Sequence, residues 1–357
     1  MKSLFDVPFL PEASYVDFLR DNVDELDSVH FSLLPGARLD SRILQAEQAE
    51  RSENLAQLAR LQGPRKYALM NSRFYLPPLL TDTENIRPII DTLEEALCLG
   101  VIDGIIYCDH YLLQRLSDEA PDIASSLEAV PGVNTMLDCF GKIESQLYYI
   151  RETRFQQPRK IILDRSLNRD LDMLAKVALQ CHTQFPELRL EVLANEGCLP
   201  YCPFKLSHDS YIALANISQQ DTTYQLNCNL GCVRLLNEQP HRLLLSPFIR
   251  PEDIDLYFYH IDTIKLCGRS LGGGFLRNVF QGYLDRRYEG NLLDLLDAVN
   301  WLARSLYIEN SSLSFDFANM LSMCDYRCDQ CGFCKDLFEA VSHRLPAAIP
   351  DHRALAD

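Results

Sequence analysis

Short apolar runs rich in β-forming residues alternate along the chain with longer segments whose apolar side chains recur at spacings of three and four. This alternation is typical of βα units and predicts a parallel sheet covered by helices. The predicted strands are residues 28–33, 67–72, 101–108, 133–138, 160–164, 188–195, 241–248 and 263–269. Because eight is the barrel number, the pattern predicts an α/β fold of the TIM type, a (β/α)8 barrel.

The helical period predicts helices between and after these strands. They are residues 41–61, 83–99, 143–151, 168–184, 274–288 and 292–306. Asp82 and Thr83 provide a capping signal for the second of them. Pro251, followed by two acidic residues, opens a short helix after the seventh predicted strand.

Two regions depart from the alternation. Residues 205–239 are predicted to be an insertion of mixed character between the sixth and seventh strands. After Tyr307 the chain enters a cysteine-rich extension. The predicted organisation is therefore a barrel over residues 1–310, a metal- or cluster-binding tail over 311–344 and a flexible C-terminus over 345–357.

Composition limits the functional classes. The 357 residues are 47% hydrophobic, enough for a full core, and 50 acidic against 34 basic residues leave a net charge of -16. Nucleic acid is therefore a disfavoured partner. The chain has no apolar stretch long enough for a membrane span, and its first residues lack the pattern of a signal peptide, so we expect a cytoplasmic protein.

Thirteen cysteines in a cytoplasmic protein favour metal or cluster ligation over disulfides. Cys198 and Cys202 follow the sixth predicted strand, where barrel enzymes place functional loops, and Cys228 and Cys232 repeat the same three-residue gap. Four thiolates suit a [4Fe-4S] cluster or a tetrahedral zinc ion, and buried unliganded thiols are the alternative. We prefer the cluster, because zinc knuckles more often use a two-residue gap.

A second group lies in the tail, where Cys324, Cys328, Cys331 and Cys334 follow one another at gaps of three, two and two residues. Such dense spacing indicates ligands. A second [4Fe-4S] cluster and a zinc ion fit it equally well. The alternative is a set of thiols on one helix face.

Polar side chains follow most of the predicted strands, as expected for an active site at the carboxyl end of a barrel. Arg250, Lys265 and Arg269 are the candidate catalytic residues, since a deep pocket lined by them would suit a small-molecule substrate. No Walker loop, no zinc-binding His-Glu-x-x-His helix and no nucleophile-elbow serine is present. The common hydrolytic machinery is therefore missing from the sequence.

Four motifs together resemble the U32 peptidase-like proteins, in the branch with a cysteine-rich tail. They are NEGCLPYCPF from Asn195, SPFIRPED from Ser246, IKLCGR from Ile264 and YEGN from Tyr288. The resemblance extends from about residue 33 to residue 334. It implies a barrel carrying a [4Fe-4S] cluster, with Cys198 and Cys202 in the family's cysteine-bearing stretch and Arg269 as its strand-end arginine.

The resemblance also implies an activity. Better understood members hydroxylate RNA bases or a quinone precursor without oxygen, some with prephenate as the hydroxyl donor, and some act as heterodimers with a sister protein. Because the chain is acidic, a small or carrier-bound substrate is expected rather than RNA. We therefore expect an iron-sulfur hydroxylase or related redox enzyme. The alternatives are a noncatalytic iron-sulfur subunit that relays electrons or stabilises a sister chain and, below it, a peptidase.

Overall fold

A computed structural model describes residues 4–34, 39–42, 51–218 and 223–346 of the chain. Within these ranges eight parallel strands form one sheet. The strands are Leu4–Pro8 (β1), Leu26–Ser32 (β2), Arg65–Met70 (β3), Gly104–Tyr107 (β4), Glu128–Pro131 (β5), Lys160–Ile162 (β6), Arg189–Leu193 (β7) and Thr263–Lys265 (β8). Their side chains are almost all buried, as expected for strands covered by helices outside and by a packed interior within.

The sheet nearly closes on itself. Its hydrogen-bonded order is β5, β4, β3, β2, β1, β8, β7, β6. At the remaining seam the backbone N–H of Gln156, just before β6, donates to the carbonyl of Leu127 at 2.9 Å, and its carbonyl accepts from Ala129 at 3.2 Å. The predicted TIM-type barrel is confirmed.

Helices connect the strands and cover the barrel. They are Ala13–Asp21 (α1), Arg51–Arg60 (α2), Pro77–Thr81 (α3), Thr83–Cys98 (α4), His110–Glu119 (α5), Pro121–Ser125 (α6), Phe140–Glu152 (α7), Leu171–Gln184 (α8), Lys205–Ser218 (α9), Thr223–Leu230 (α10), Cys232–Glu238 (α11), Ile254–Tyr257 (α12), Gly272–Asp285 (α13), Phe317–Ser322 (α14) and Phe333–Val341 (α15). Asp82 caps α4, accepting a hydrogen bond from the amide of Glu84 at 2.9 Å, as its position predicts. Residues 43–50 of the predicted helix 41–61 lie outside the described residues.

Three strand assignments differ from the sequence prediction, those at residues 4–8, 133–138 and 241–248. The first strand, Leu4–Pro8, was missed, because it is short and the charged Asp6 interrupts its apolar run. The predicted strand 241–248 instead forms a 3-10 helix, Pro240–Leu245, whose leucines are buried. A short apolar run does not distinguish a buried strand from a buried helical turn.

Because β1 precedes the predicted strands, the strand numbers change, while the order of the segments along the chain stays as predicted. The segment 205–239 follows the same strand as predicted, but it lies between β7 and β8 because β1 precedes the others. Its described part is helical, comprising α9, α10 and α11. The strand predicted at 133–138 does not form: the corresponding strand, β5, ends at Pro131, and residues 133–135 form a 3-10 turn after Gly132.

A second hydrophobic core lies beside the main barrel core. It contains Leu199, Leu243, Phe248, Leu293 and Phe338, among others, from both sides of the proposed boundary at residue 310. The predicted helix 292–306 is absent. This stretch instead forms two 3-10 turns, Leu292–Asp294 and Asn300–Arg304, and enters a strand, Leu306–Ile308 (β9), that pairs antiparallel with Ser342–Arg344 (β10).

The tail thus folds back onto the chain that leaves the barrel. Most of the predicted flexible C-terminus, residues 347–357, lies outside the described ranges. Across the ranges that are described, every helix falls short of the length and apolar character that a bilayer crossing needs.

Candidate functional site

A small cavity of about 50 Å³, here called the mouth cavity, lies at the carboxyl ends of the strands. Its wall includes four cationic side chains and two carboxylates, which are those of Arg42, Lys205, Lys265, Arg269, Glu196 and Asp209. This is the end of the barrel at which TIM-type enzymes carry out their chemistry. The wall thus presents more cations than carboxylates, while Asp297, Asp6 and Asp40 pair with Arg42, Lys265 and Arg269 from outside the lining.

A second cavity of about 230 Å³, here called the cysteine cavity, is lined by the insertion helices α9, α10 and α11 together with the loop after β7. Three of the four predicted cluster ligands, Cys198, Cys202 and Cys232, line it. The two cavities share the charged residues Arg42, Glu196, Lys205 and Asp209. They therefore adjoin, with these side chains between them.

The fourth predicted ligand, Cys228, lies in α10 just outside this lining. Its thiol is hydrogen-bonded to the hydroxyl of Tyr224. Burial, followed by the neighbouring Cys202 and Cys228, raises the pKa of Cys232. Cys232 is therefore within electrostatic reach of one cysteine from each pair.

Four thiols are a donor set that a [4Fe-4S] cluster or a zinc ion accepts. Across the described ranges, however, no three His, Cys, Asp or Glu side chains converge closely enough to hold a metal ion. The four cysteines therefore supply suitable donor atoms for such a group and lie near one another. To complete a coordination shell, their thiols must turn towards one another.

Charged residues surround Cys198. The thiol is hydrogen-bonded to Glu196, whose carboxylate contacts Arg165 and lies 3.3 Å from the guanidinium of Arg42. Burial favours the neutral form of Glu196, but Arg165, Lys205 and Arg42 outweigh it and lower the pKa to about 2. Burial and the Glu196 carboxylate raise the pKa of Cys198 to about 12. The adjacent cations are placed to stabilise a thiolate once a metal displaces its proton.

Arg269 lies in the mouth cavity and is almost buried. Its Nη2 atom is 3.2 Å from the carboxylate of Asp40, which also accepts a hydrogen bond from Ser32. Among the described residues, neither Nε nor Nη2 of Arg269 makes a hydrogen bond of good geometry. The guanidinium is ion-paired with Asp40, and a bound carboxylate would have to compete with Asp40 for these buried donors.

Lys265 lines the same cavity from β8 and belongs to a buried ionic network in the barrel interior. Its Nζ atom contacts Asp6 and lies 3.0 Å from Nδ1 of His30. Lys160 continues the network, 2.7 Å from Glu191 and 3.2 Å from Asp6. Sequence reasoning did not select the other four members as functional, although a lone charge inside an apolar strand run was a signal available for Asp6, Lys160 and Glu191.

Arg250 requires a correction. Its guanidinium is fully buried against Asp253, with hydrogen bonds of 2.7 and 2.9 Å, and it donates to the carbonyls of Leu313 and Ser314. It lines neither the mouth cavity nor the cysteine cavity. Its contacts instead hold the chain after β9 against the second core, a structural role that its position near a strand end did not reveal.

Cys267 follows β8 and lines the mouth cavity. Burial and the neighbouring Asp297 raise its pKa well above the usual range, which keeps the thiol neutral. The tail cysteines Cys324, Cys328, Cys331 and Cys334 line a separate cavity of about 530 Å³. The two predicted cysteine groups thus occupy two places in the fold.

No protein-family model matches the chain. It is 33% identical over 241 residues to the uncharacterized protease MJ1657 of Methanocaldococcus jannaschii. The aligned region covers 67% of this chain and 66% of that relative, just under two thirds of its length. This likeness agrees with the four U32-like motifs in the sequence. The chain belongs to the U32 peptidase-like family.

Two solved structures are also similar to this U32 chain. The U32 peptidase Mk0906 is 13% identical, with a TM-score of 0.48, over 74% of this chain and 92% of that one. The GH18 chitinase ChiB of Flavobacterium johnsoniae is 11% identical, with a TM-score of 0.36, over 81% and 96%. The family assignment rests on the sequence relative and the motifs, and neither structural likeness is needed for it.

Proposed function

We propose that this U32-family barrel is an iron-sulfur enzyme that hydroxylates a small or carrier-bound substrate without oxygen. Cys198, Cys202, Cys228 and Cys232 would hold a [4Fe-4S] cluster. The observation that carries the proposal is that the cavity lined by three of these thiols adjoins a cationic barrel mouth. When bound, the cluster would supply one-electron transfer or an electrophilic iron site.

The residues of the mouth would bind and orient the reactants. Arg269, paired with Asp40, would exchange part of that contact for a bound carboxylate, and Lys265, paired with Asp6, lies at the same cavity at the end of β8. A carboxylate-bearing hydroxyl donor of the prephenate kind matches this chemistry. Arg42 and Lys205, which line both cavities, would keep the bound anion beside the cysteines.

The proposal is tested by oxygen-free purification, followed by analysis of iron, sulfide and zinc together with visible absorption. We expect about four irons per chain at this site, lost in Cys198→Ala. Cys181→Ala is the matched control, because Cys181 is also a buried cysteine whose pKa burial raises to about 12, and it lies in α8, outside the lining of both cavities. Zinc without visible absorption, or equal iron in both variants, would overturn the proposal.

A partner subunit is the second candidate, and one observation favours it. The insertion helices α9 and α10 leave large apolar side chains exposed: Leu206, Tyr211, Leu214, Tyr224 and Leu230. A noncatalytic subunit could use such side chains to contact a sister chain. A noncatalytic subunit should not bind small anions specifically at the mouth. The proposed enzyme should bind them there, and Arg269→Gln should abolish that binding.

The relative's name makes a peptidase a further candidate, but the geometry supports it less. A cysteine nucleophile needs a lowered thiol pKa. Burial instead raises the pKa of Cys198, Cys202 and Cys232. Hydrolysis of casein by the purified chain, lost in Cys198→Ala and retained after iron removal, would reinstate the peptidase.

A further inference from the structure

The cysteine-rich tail brings four thiols to one cavity, at a distance along the chain from the barrel mouth. Cys324 follows α14, Cys328 and Cys331 lie in the loop, and Cys334 is in the first turn of α15. All four line the cavity. Burial, and then the other three cysteines, raise the pKa of Cys334 to about 11, so the four thiols influence one another electrostatically.

The backbone next to Cys324 orients its side chain. The N–H of Tyr326 donates to Sγ of Cys324 at 3.4 Å, which holds this sulfur beside the residue that contacts the barrel mouth. Tyr326 itself has a left-handed backbone with φ of 59°, which is strained for a bulky residue and persists only where the surroundings impose it.

The tail also contacts the cysteine loop at the barrel mouth. The ring of Tyr326 meets the ring of Tyr201 edge to face, with centroids 5.5 Å apart and an interplanar angle of 74°. Tyr201 immediately precedes Cys202 and likewise has a left-handed backbone, with φ of 45°. Cys202 and Cys334 pack against the same second core. The two cysteine groups are thus joined by a pair of tyrosines in the same unusual conformation.

We infer that Cys324, Cys328, Cys331 and Cys334 bind a second, tetrathiolate metal centre, whose formation holds Tyr326 against Tyr201 and so positions the Cys198–Cys202 loop. The metal site stands independently of the proposed function, whereas its positioning role rests on it. A zinc ion and an iron-sulfur cluster share this ligand chemistry. Cys328 and Cys331 are exposed, so their thiols can rotate inward to complete the shell.

Metal content tests the site on the full chain purified without oxygen. We expect Cys328→Ser and Cys331→Ser each to lose either one zinc or about four irons per chain. Cys98→Ser, at another exposed cysteine, is the matched control and should keep the full content. Tail variants that hold as much metal as Cys98→Ser would overturn the inference.

The same analysis separates this inference from the proposed function. Metal lost in Cys328→Ser but not in Cys198→Ala would sustain the tail centre and overturn the barrel cluster. Metal lost only in Cys198→Ala would do the reverse. The kind of metal lost in the tail variants identifies the centre as zinc or iron-sulfur.

Hydrogen exchange tests the positioning role. We expect Cys328→Ser to accelerate exchange in peptides covering residues 198–204 as well as 324–334. Tyr326→Ala should do the same while retaining the tail metal, and Tyr326→Phe, which keeps the ring, should restore protection. Unchanged exchange at 198–204 in both Cys328→Ser and Tyr326→Ala would overturn this part of the inference.

Discussion

At the residue scale, the barrel interior contains an unusual concentration of ionisable side chains. Asp6, His30, Lys160, Glu191 and Lys265 lie within a buried network, although such groups are costly to bury unless they are paired. Burial and the Asp6 carboxylate raise the pKa of Glu191 to about 7, against the opposing effect of Lys160 and Lys265. Burial and Lys265 lower the pKa of His30 to about 3, so its ring is neutral at physiological pH.

The raised pKa of Glu191 predicts a pH-dependent stability. Between the ordinary glutamate pKa and about 7, Glu191 stays protonated in the folded state but is ionised in the unfolded state. Its contribution to the free energy of unfolding is therefore fully present below the ordinary glutamate pKa and is lost as pH rises through about 7. We expect wild type to lose about 3 kcal/mol of unfolding free energy relative to Glu191→Gln across that window. Urea unfolding at several pH values measures it. Parallel curves for the two proteins would contradict the prediction, and Glu94→Gln, at an exposed glutamate, should follow wild type.

Single residues also show where sequence reasoning reaches its limit. Arg250 and Arg269 both follow apolar segments, and the sequence treats them alike. In the fold, Arg250 is enclosed by Asp253 and backbone carbonyls, whereas Arg269 lines the mouth. The difference depends on which residues from distant parts of the chain pack against each side chain, and this cannot be predicted from local spacing.

At the element scale, β4 and β5 approach closely because β4 begins with glycine. A Cβ at Gly104 would lie 2.5 Å from the carbonyl oxygen of Glu128 and 2.9 Å from its Cβ. The carboxylate of Glu128 in turn accepts hydrogen bonds from Arg65 at 2.6 Å and from Tyr67 at 3.0 Å. This contact tightens the sheet next to the seam between β5 and β6.

Gly104→Ala should therefore destabilise the barrel. The strands must separate or β5 must shift to accommodate the methyl group, at a cost of about 1–3 kcal/mol. Chemical denaturation measures the change. Gly141→Ala is the matched control, since nothing lies within 4 Å of the added Cβ and the residue is in the first turn of α7, so the free energy of unfolding should change little. Equal stability of the two variants would refute the close contact.

Elements with a strong period were predicted best. The helix Thr83–Cys98 agrees with the predicted 83–99 because its isoleucines and leucines recur on one face and Asp82 caps it. The apolar stretches 241–248 and 292–306 were assigned wrongly, since both bury their side chains in the second core without regular helix or strand geometry. Burial explains their composition, but only the packing partners decide their backbone.

At the scale of the whole molecule, charge is unevenly distributed. The chain carries a net charge of -16, yet the mouth cavity contains more cations than carboxylates. Overall repulsion disfavours polyanions such as nucleic acid, while the mouth can still attract a small anion. The carboxylate-bearing donor proposed above can therefore be tested with a small anion.

A small dicarboxylate such as malonate should therefore raise the thermal unfolding midpoint. A ligand at 100 times its Kd contributes about 2.7 kcal/mol. The shift should largely disappear in Arg269→Gln and persist in Arg234→Gln, which alters an exposed arginine of α11. Differential scanning fluorimetry, with chloride at matched ionic strength as reference, makes the comparison. An equal shift in both variants would remove the mouth as the binding site.

The sequence by itself determined the barrel class, the insertion over residues 205–239 and the grouping of the cysteines, and four motifs carried the family resemblance. The first three follow from hydrophobic period and residue spacing, which are local properties of the chain. The tertiary structure decided that β1 completes the sheet, that Arg250 is structural, that the thiol cavity adjoins the mouth and that Tyr201 meets Tyr326. Those outcomes depend on contacts between residues far apart in sequence, where packing and charge pairing, rather than local preference, set the free energy.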